Sequence, residues 1–258
     1  MSNKKKGKPE RGGEFELDGE ETFVLLDRVV DPYLVLFHNP SGFRAEQYRA
    51  LRNKLIFLNP EGLSRSLVVT SAIKEEGKST TLLNLGLAFA ELEGQSAIIL
   101  DFDLRLPSVE RLLGLNPEPG LTDLMLGRIP LRSAIRNAGK PGLDFIGAGL
   151  QKVHPAEFLS SGKVEELLST LKEEYNYVLI DSPPALPFTD AGILSAKADG
   201  TLLVVKLEVS SKKLTKMALQ NLQELGGNVL GTFVLGIRGA DPSTDPRYGY
   251  PETQWPEA

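Results

Sequence analysis

The sequence predicts an α/β fold with a doubly wound, mainly parallel sheet, and three observations support this prediction. Short apolar runs alternate with amphipathic helical segments through residues 67–239. One apolar run leads into Gly77-Lys78-Ser79, which opens a helical segment. Two other apolar runs end at Asp101 and Asp181. Because the carboxyl ends of parallel strands share one edge, we expect these groups to meet at a single site there.

Four segments are expected along the chain. Residues 1–22 are charged and poor in large apolar residues, which predicts a disordered tail. Residues 23–66 form an N-terminal arm that either covers the core or extends from it, followed by an amphipathic helix over 43–58. Residues 67–239 form the nucleotide-binding domain, and residues 240–258, rich in proline and polar side chains, form a flexible tail.

The expected elements of the nucleotide-binding domain follow from apolar runs and helical periodicity. The predicted strands lie at 67–70, 97–100, 143–146, 177–180, 201–205 and 229–235. The predicted helices lie at 79–93, 163–174 and 210–225.

The run from Ser71 to Thr80 has the strand-loop-helix context of a P-loop. The backbone N–H groups of Glu76 and Gly77, together with the helix N-terminus, should attract phosphate oxygens. Lys78 should reach the terminal phosphates, Ser79 should bind Mg²⁺, and the Thr80 hydroxyl should contact the α-phosphate. The match is incomplete, since Ala72 replaces the first glycine and Glu75 and Glu76 add two carboxylates. The alternative is an ordinary turn with a capping serine.

Aspartates follow two of the predicted strands. In Asp101-Phe102-Asp103, strand alternation would place both carboxylates on one face, about 6–7 Å apart. One would lie near Mg²⁺ and the other near a nucleophile. Asp181 occupies the Walker B position and would hold Mg²⁺ directly or through water. The alternative is that these residues cap turns, but three of them in register with a P-loop favour a Mg-nucleotide site.

The composition excludes some classes of protein. A net charge of −5 and a pI near 5.3 argue against a protein that coats nucleic acid. The chain has no cysteine, so it has no disulfide or thiolate site. No apolar run approaches the ~20 residues that a membrane span needs, and no signal peptide is recognised. A cytoplasmic location is expected.

These motifs resemble the bacterial tyrosine kinases (BY-kinases) of polysaccharide-export systems, which are P-loop proteins related to the Min and Par ATPases. The resemblance covers about residues 39–235. Its strongest carriers are Leu100-Asp101-Phe102-Asp103-Leu104-Arg105-Leu106-Pro107 and Ile180-Asp181-Ser182-Pro183-Pro184, followed by Thr189-Asp190-Ala191.

The resemblance implies an ATP- and Mg²⁺-dependent protein-tyrosine autokinase that regulates polysaccharide polymerisation and export. It implies that Lys78 and Ser79 hold the nucleotide phosphates and Mg²⁺. It makes Asp101 or Asp103 the base for a tyrosine hydroxyl, and it gives Arg105 a role in positioning substrate. Asp181 would support Mg²⁺, with Asp101 as a further metal ligand.

The resemblance also implies partners. Glu46, Arg49 and Arg52 match a Glu-x-x-Arg-x-x-Arg segment implicated in ring assembly. The alternative is a solvated helix face with one Glu–Arg pair worth ~0.2–0.5 kcal/mol. Other implied partners are a separate transmembrane activator of the co-polymerase type, which would recruit the chain to the inner face of the membrane, and a cognate tyrosine phosphatase. No nucleic acid is expected.

Some features depart from the family pattern and keep alternatives open. Tyr248 and Tyr250 are either phosphate acceptors or ordinary aromatic residues of the tail. Glu75 replaces a glycine, which should reduce nucleotide affinity. Gly236 stands where relatives have an asparagine that contacts adenine. A Min/Par-type ATPase is a second hypothesis, although Ile73 stands where those proteins have a signature lysine. A nucleotide-binding scaffold with little catalysis is the third.

Overall fold

The structure, a computed structural model, describes residues 28–150 and 152–236. Seven strands in this part form one sheet of order β3-β4-β2-β5-β1-β6-β7. Only β3 is antiparallel to its neighbour, which confirms the mainly parallel sheet. The strands are β1 (Arg65–Ser71), β2 (Ala97–Asp101), β3 (Arg136–Lys140), β4 (Leu143–Ile146), β5 (Tyr177–Asp181), β6 (Gly200–Lys206) and β7 (Val229–Leu235).

In the described part of the chain, two helices precede β1 and the others lie between the strands. Five have eight or more residues: α2 (Phe43–Phe57), α3 (Lys78–Ala90), α8 (Lys163–Glu174), α9 (Asp190–Lys197) and α10 (Lys212–Glu224). Five are shorter: α1 (Val35–His38), α4 (Val109–Leu112), α5 (Leu121–Met125), α6 (Leu131–Ala134) and α7 (Pro155–Ser160).

The two faces of the sheet bury separate clusters of side chains, because successive residues of a strand point to opposite faces. On one face, strand residues pack against α3, which α2 covers from outside; this cluster includes Leu67, Val69, Ile99, Leu82, Leu85 and Phe89. On the other face, strand residues pack against α8 and its neighbours; this cluster includes Val68, Ile98, Val178, Leu167, Leu168 and Leu171. Helices on both faces make the fold doubly wound, as predicted.

Helix α3 is shorter than the predicted segment 79–93, since it ends at Ala90. The Leu92 N–H bonds to the Phe89 carbonyl, and the Gln95 N–H bonds to the Leu92 carbonyl. These tight turns replace the last helical turn, and Gly94 adopts a left-handed φ of 74° between them. The apolar spacing that predicted a longer helix therefore continues through turns.

Strand β3 was not predicted, because Arg136-Asn137-Ala138-Gly139-Lys140 has no apolar alternation. It pairs only at the edge, beside β4, with a register shift between Asn137 and Lys140. The Asn137 amide also bonds to the Leu143 carbonyl and to the Asp144 carboxylate. Pairing and side-chain bonds thus form this strand, and Ala138 is the apolar residue that it adds to the core.

The described part of the N-terminal arm covers α3. Leu34 and Leu36 are buried in the cluster around this helix. The Asn84 side chain accepts from the Leu36 N–H and donates to the Tyr33 carbonyl. The two expected tails, 1–22 and 240–258, lie outside the described residues. Across the described residues, no helix is long and apolar enough to span a bilayer.

Phe89→Ala should lower the free energy of unfolding by about 3–5 kcal/mol, because it leaves a cavity in the main core. The Phe89 ring is fully buried and stacks on Tyr177 at 3.8 Å between centroids. Phe57→Ala is the matched control, since Phe57 is 83% exposed. Urea unfolding of both variants measures the difference, and equal losses would contradict this packing.

Candidate functional site

The phosphate-binding loop joins β1 to α3 at the carboxyl edge of the sheet. Glu75 and Gly77 both adopt left-handed conformations, with φ of 66° and 87°. The positive φ favours glycine at position 77, and a Cβ there would also lie 2.7 Å from Leu235 Cδ1, so that side chain would have to shift. Gly77 has no side chain to cap α3, and the N–H groups of the first helical turn therefore face the loop, where they can bind phosphate oxygens.

Lys78 is held by carboxylates at the N-terminus of α3. Its Nζ lies 2.8 Å from Asp103 Oδ2 and 3.3 Å from Asp181 Oδ1. It also lies 3.1 Å from the Ser79 hydroxyl. Burial disfavours the charged ammonium, but Asp181 and Asp103 outweigh it and raise the pKa of Lys78 to about 12. Lys78 is therefore a buried cation that can be transferred from carboxylates to phosphates.

Ser79 and Asp181 together fit a magnesium ion. The Ser79 hydroxyl donates to Asp181 Oδ2 at 2.5 Å, and the Asp181 side chain is fully buried. Burial raises the pKa of Asp181, while Lys78 and the Ser79 hydroxyl favour its ionised form. Among the described residues, no group of three or more His, Cys, Asp or Glu side chains forms a metal cage. Mg²⁺ at this pair would take its other ligands from phosphates and water, as Mg²⁺ commonly does.

Asp101 and Asp103 have different surroundings. Strand β2 ends at Asp101, so the following turn, and not strand alternation, places Asp103 against Lys78. Asp101 accepts the backbone N–H groups of Asp103, Ser108 and Val109 at 2.9–3.1 Å. Burial and Asp181 raise the pKa of Asp101 to about 8, against the opposing effect of the amides of Val109 and Ser108. Asp101 therefore shapes the loop, and Asp103 reaches the cation.

Arg105 is bound to a residue that the sequence analysis did not assign a role. Its Nε lies 2.7 Å from Asp190 Oδ2, and its guanidinium lies 3.8 Å from the centre of the Phe188 ring. Asp190 is buried at the start of α9 and raises the pKa of Arg105. The only signal in the sequence was the Thr189-Asp190-Ala191 run. This contact joins the loop after β2 to the loop after β5.

The side chain of Glu76 does not face open solvent as a loop residue would. It is 1% exposed, accepts the Ile73 N–H at 2.9 Å, and accepts the hydroxyl of Ser210. Glu76 would therefore serve phosphate through its backbone. Glu75 is exposed near Lys74, and Thr80 lies half-buried in the first turn of α3.

The predicted assembly residues make contacts within the chain. Arg49 bonds to Glu46, to the Pro40 carbonyl and, through two nitrogens at 2.6 and 2.7 Å, to Glu91. Arg52 is buried and donates to the Ala88 carbonyl at 2.7 Å. Glu91 lies just after α3 and was missed, because no local pattern reveals a partner 42 residues away.

The remaining predictions concern Glu46, in the assembly segment, and the two acceptor tyrosines. Glu46 is the most exposed member of its segment, at 58% of its side chain. Tyr248 and Tyr250 lie outside the described residues, so their role stays a prediction.

The sequence of the chain is similar to those of known proteins. A family model described as an AAA domain (AAA_31) matches residues 74–228. The tyrosine-protein kinase YwqD of Bacillus subtilis (strain 168) is 32% identical over 217 residues, which cover 84% of this chain and 90% of YwqD. The tyrosine-protein kinase etk of Escherichia coli (strain K12) is 30% identical over 206 residues, which cover 80% of this chain. The chain spans only 28% of the length of etk.

Solved structures agree with the sequence matches. The kinase domain of Escherichia coli tyrosine kinase ETK superposes with a TM-score of 0.76 at 28% identity, covering 86% of this chain and 84% of that domain. The septum site-determining protein MinD of Pyrococcus horikoshii OT3, solved with Mg-ADP, has a TM-score of 0.57 at 24% identity, covering 67% of this chain and 70% of that one. The MinD likeness concerns the fold alone.

Lys78→Met should destabilise the nucleotide-free protein by on the order of 3–5 kcal/mol, because it leaves buried carboxylates without a cation. The deficit should grow as the pH rises toward and past about 8, where Asp101 ionises in the intact protein, because Lys78 lowers the pKa values of Asp101 and Asp181 and its loss leaves their ionisation unbalanced. Lys74→Met is the control, because the Lys74 side chain is 76% exposed. Urea unfolding at several pH values tests this, and equal stability of both variants would refute it.

Glu75→Gln should strengthen Mg-ATP binding by about 5-fold, because an exposed carboxylate beside the phosphates is removed. Glu75→Gly should do the same and also raise the free energy of unfolding by up to about 1 kcal/mol, since glycine adopts the positive φ without strain. Titration calorimetry measures the affinity, with Glu61→Gln as the control for net charge. Unchanged affinity in both variants would show that the Glu75 charge does not reach the phosphates.

Proposed function

The chain belongs to the family of bacterial tyrosine-protein kinases, and on that premise we propose that it is an autokinase, which transfers the γ-phosphoryl group of ATP to tyrosine hydroxyls of this same protein. Tyr248 and Tyr250 are the proposed acceptors. The observation that carries the proposal is Lys78, placed between Asp103 and Asp181 at the mouth of the phosphate-binding loop. A cation for the phosphates and a carboxylate for the phenol then lie within one site.

In the proposed complex, each group has a separate task. The loop N–H groups and Lys78 would bind the phosphates, and Ser79 and Asp181 would hold Mg²⁺. When bound, Mg²⁺ would neutralise charge on the phosphate oxygens. The tyrosine oxygen forms a bond to the γ-phosphorus while the bond from that phosphorus to the β–γ bridging oxygen breaks, and ADP leaves.

Asp103 is the proposed base for the phenol proton. A free tyrosine hydroxyl has a pKa of about 10, so a nearby carboxylate helps to orient it and accept its proton. Lys78 Nζ lies 2.8 Å from Asp103 Oδ2 and balances the charge of this carboxylate. Phosphates that attract Lys78 would release the Asp103 carboxylate when a nucleotide is present. Substrate binding would thus prepare the base.

Arg105 is proposed to act at the same edge through the loop that it holds. Its guanidinium is shared between Asp190 and the face of Phe188, so the loop after β5 is tied to the loop after β2. This tie would fix the wall against which an acceptor tyrosine is placed. Asp101, with three backbone N–H donors, would keep the Asp103 turn in shape.

The biological setting is proposed from the family resemblance. The chain would act in the cytoplasm as part of a homo-oligomeric ring, with Glu46, Arg49 and Arg52 near the subunit interface. Exposed Glu46 supports this, while Arg49 and Arg52 would contribute by keeping α2 fixed on α3. A separate transmembrane co-polymerase would recruit and activate the kinase. A cognate phosphatase would remove the phosphate from its tyrosines. This cycle of phosphorylation would regulate polysaccharide polymerisation and export.

Peptide mass spectrometry after incubation with Mg-ATP tests the proposal, alone and with the cytoplasmic tail of a candidate membrane partner. Phosphate is expected on Tyr248 or Tyr250. Lys78→Ala and Asp103→Asn should each reduce phosphotyrosine at least about 100-fold, because they remove the phosphate cation and the base. Lys74→Ala, a loop lysine with an exposed side chain, should retain it.

Other outcomes would contradict the kinase proposal. Phosphate release from ATP that depends on Lys78, without phosphotyrosine under either condition, would favour a Min/Par-type ATPase. Nucleotide binding with neither product would favour a scaffold. Full phosphorylation in Asp103→Asn would remove Asp103 from the role of base.

A further inference from the structure

We propose that Glu76 is a positioning residue for the nucleoside half of the bound nucleotide, acting through Ser210. Glu76 lies in the phosphate-binding loop, and Ser210 lies in the turn between β6 and α10, residues 206–211, called here the base-side turn. The inference rests on nucleotide binding as proposed above, but it does not require tyrosine phosphorylation.

A continuous chain of hydrogen bonds joins the two segments. Glu76 Oε2 accepts the Ile73 N–H at 2.9 Å within the phosphate-binding loop. Glu76 Oε1 accepts the hydroxyl of Ser210, and Ser210 Oγ accepts the Lys206 N–H at 2.7 Å. Each oxygen of the Glu76 carboxylate therefore has a donor, and the Ser210 hydroxyl both donates and accepts. The two segments are fixed to each other through one buried carboxylate.

The strand order places the nucleoside on this side of the loop. Asp103 and Asp181 follow β2 and β5, which lie on one side of β1. The terminal phosphate must face these carboxylates and Lys78. A polyphosphate that is bound across the loop, with its terminal phosphate at these groups, extends toward the other side of β1, where β6 and β7 end. The base-side turn and the end of β7 therefore form the wall nearest to the nucleoside.

That wall exposes two apolar side chains on a strained turn. Leu207 and Val209 are each 43% exposed, and the Leu207 N–H bonds to the Leu235 carbonyl at 2.9 Å. Between them Glu208 adopts a left-handed φ of 67°, which costs of order 1–3 kcal/mol for a residue with a side chain. A turn with such strain keeps its shape only when surrounding contacts hold it, and the Ser210–Glu76 link is one of these contacts.

This arrangement gives Glu76 a role that a phosphate ligand would not have. A carboxylate in the loop repels phosphate when it faces the anion, but here it is directed to Ser210 and is buried. It can hold the apolar wall at a fixed distance from the loop, so that a purine fits between them. Breaking the link should weaken the binding of nucleotides. The binding of polyphosphates that carry no nucleoside should stay unchanged.

Titration calorimetry on the full chain with Mg²⁺ and three probes, ATP, ADP and inorganic tripolyphosphate, tests the proposal. Ser210→Ala should weaken ATP and ADP binding about 10-fold, since a hydrogen bond to a charged group is lost, and should leave tripolyphosphate binding within about 2-fold. Ser210→Thr retains the hydroxyl and should restore nucleotide affinity. Ser169→Ala is the matched control, because Ser169 is exposed on α8 and belongs to neither of the two linked segments.

Two results would overturn the proposal. An equal loss for tripolyphosphate and ATP would show that the link acts on the phosphate-binding loop itself. Unchanged ATP affinity in Ser210→Ala would show that the link does not position the nucleoside. The kinase proposal is tested separately, since a chain that binds ATP through this link but forms no phosphotyrosine would refute only the kinase. Tripolyphosphate binding by Ser210→Ala also reports that the variant is folded.

Discussion

The ion pairs of Lys78 with buried carboxylates are the interaction on which the site depends. Asp101 and Asp181 are opposite each other in the register of β2 and β5, and Asp103 follows one turn later. All three are nearly or fully buried, and burial and mutual repulsion raise the pKa values of Asp101 and Asp181, so their ionised forms depend on a nearby cation. Lys78 supplies that cation from the first residue of α3. The register of β2 and β5 places the carboxylates, and the phosphate-binding loop places Lys78. The two are therefore coupled, because the negative charges and the positive charge stabilise each other.

Carboxylates also organise the loops around this centre. Asp101 gathers three backbone N–H groups of the loop after β2. Asp190, at the start of α9, holds Arg105 and with it the loop after β2. Glu76 joins the phosphate-binding loop to the turn after β6. Each carboxylate bonds to a loop at this edge of the sheet, which contributes to the preorganisation that phosphoryl transfer requires.

The sequence was sufficient for features with strong local signals. Strands 143–146 and 229–235 and the helix over 163–174 were predicted with their observed bounds, because apolar periodicity is clear there. The phosphate-binding loop and the strand-end aspartates were recognised from their spacing. Strand β3 was missed because it lacks apolar alternation. The pairing of Arg49 with Glu91, and the direction of the Glu76 side chain toward Ser210, depend on contacts between distant segments, which no local pattern contains.

A crystal structure with Mg²⁺ and a non-hydrolysable ATP analogue would test the central claim most directly. The account predicts that Lys78 Nζ leaves Asp103 and contacts phosphate oxygens, that Mg²⁺ lies against Ser79 and Asp181, and that the Asp103 carboxylate is free to meet a phenol. A complex in which the phosphates bind while Lys78 stays on Asp103 would contradict it, because the base would then remain neutralised during the reaction.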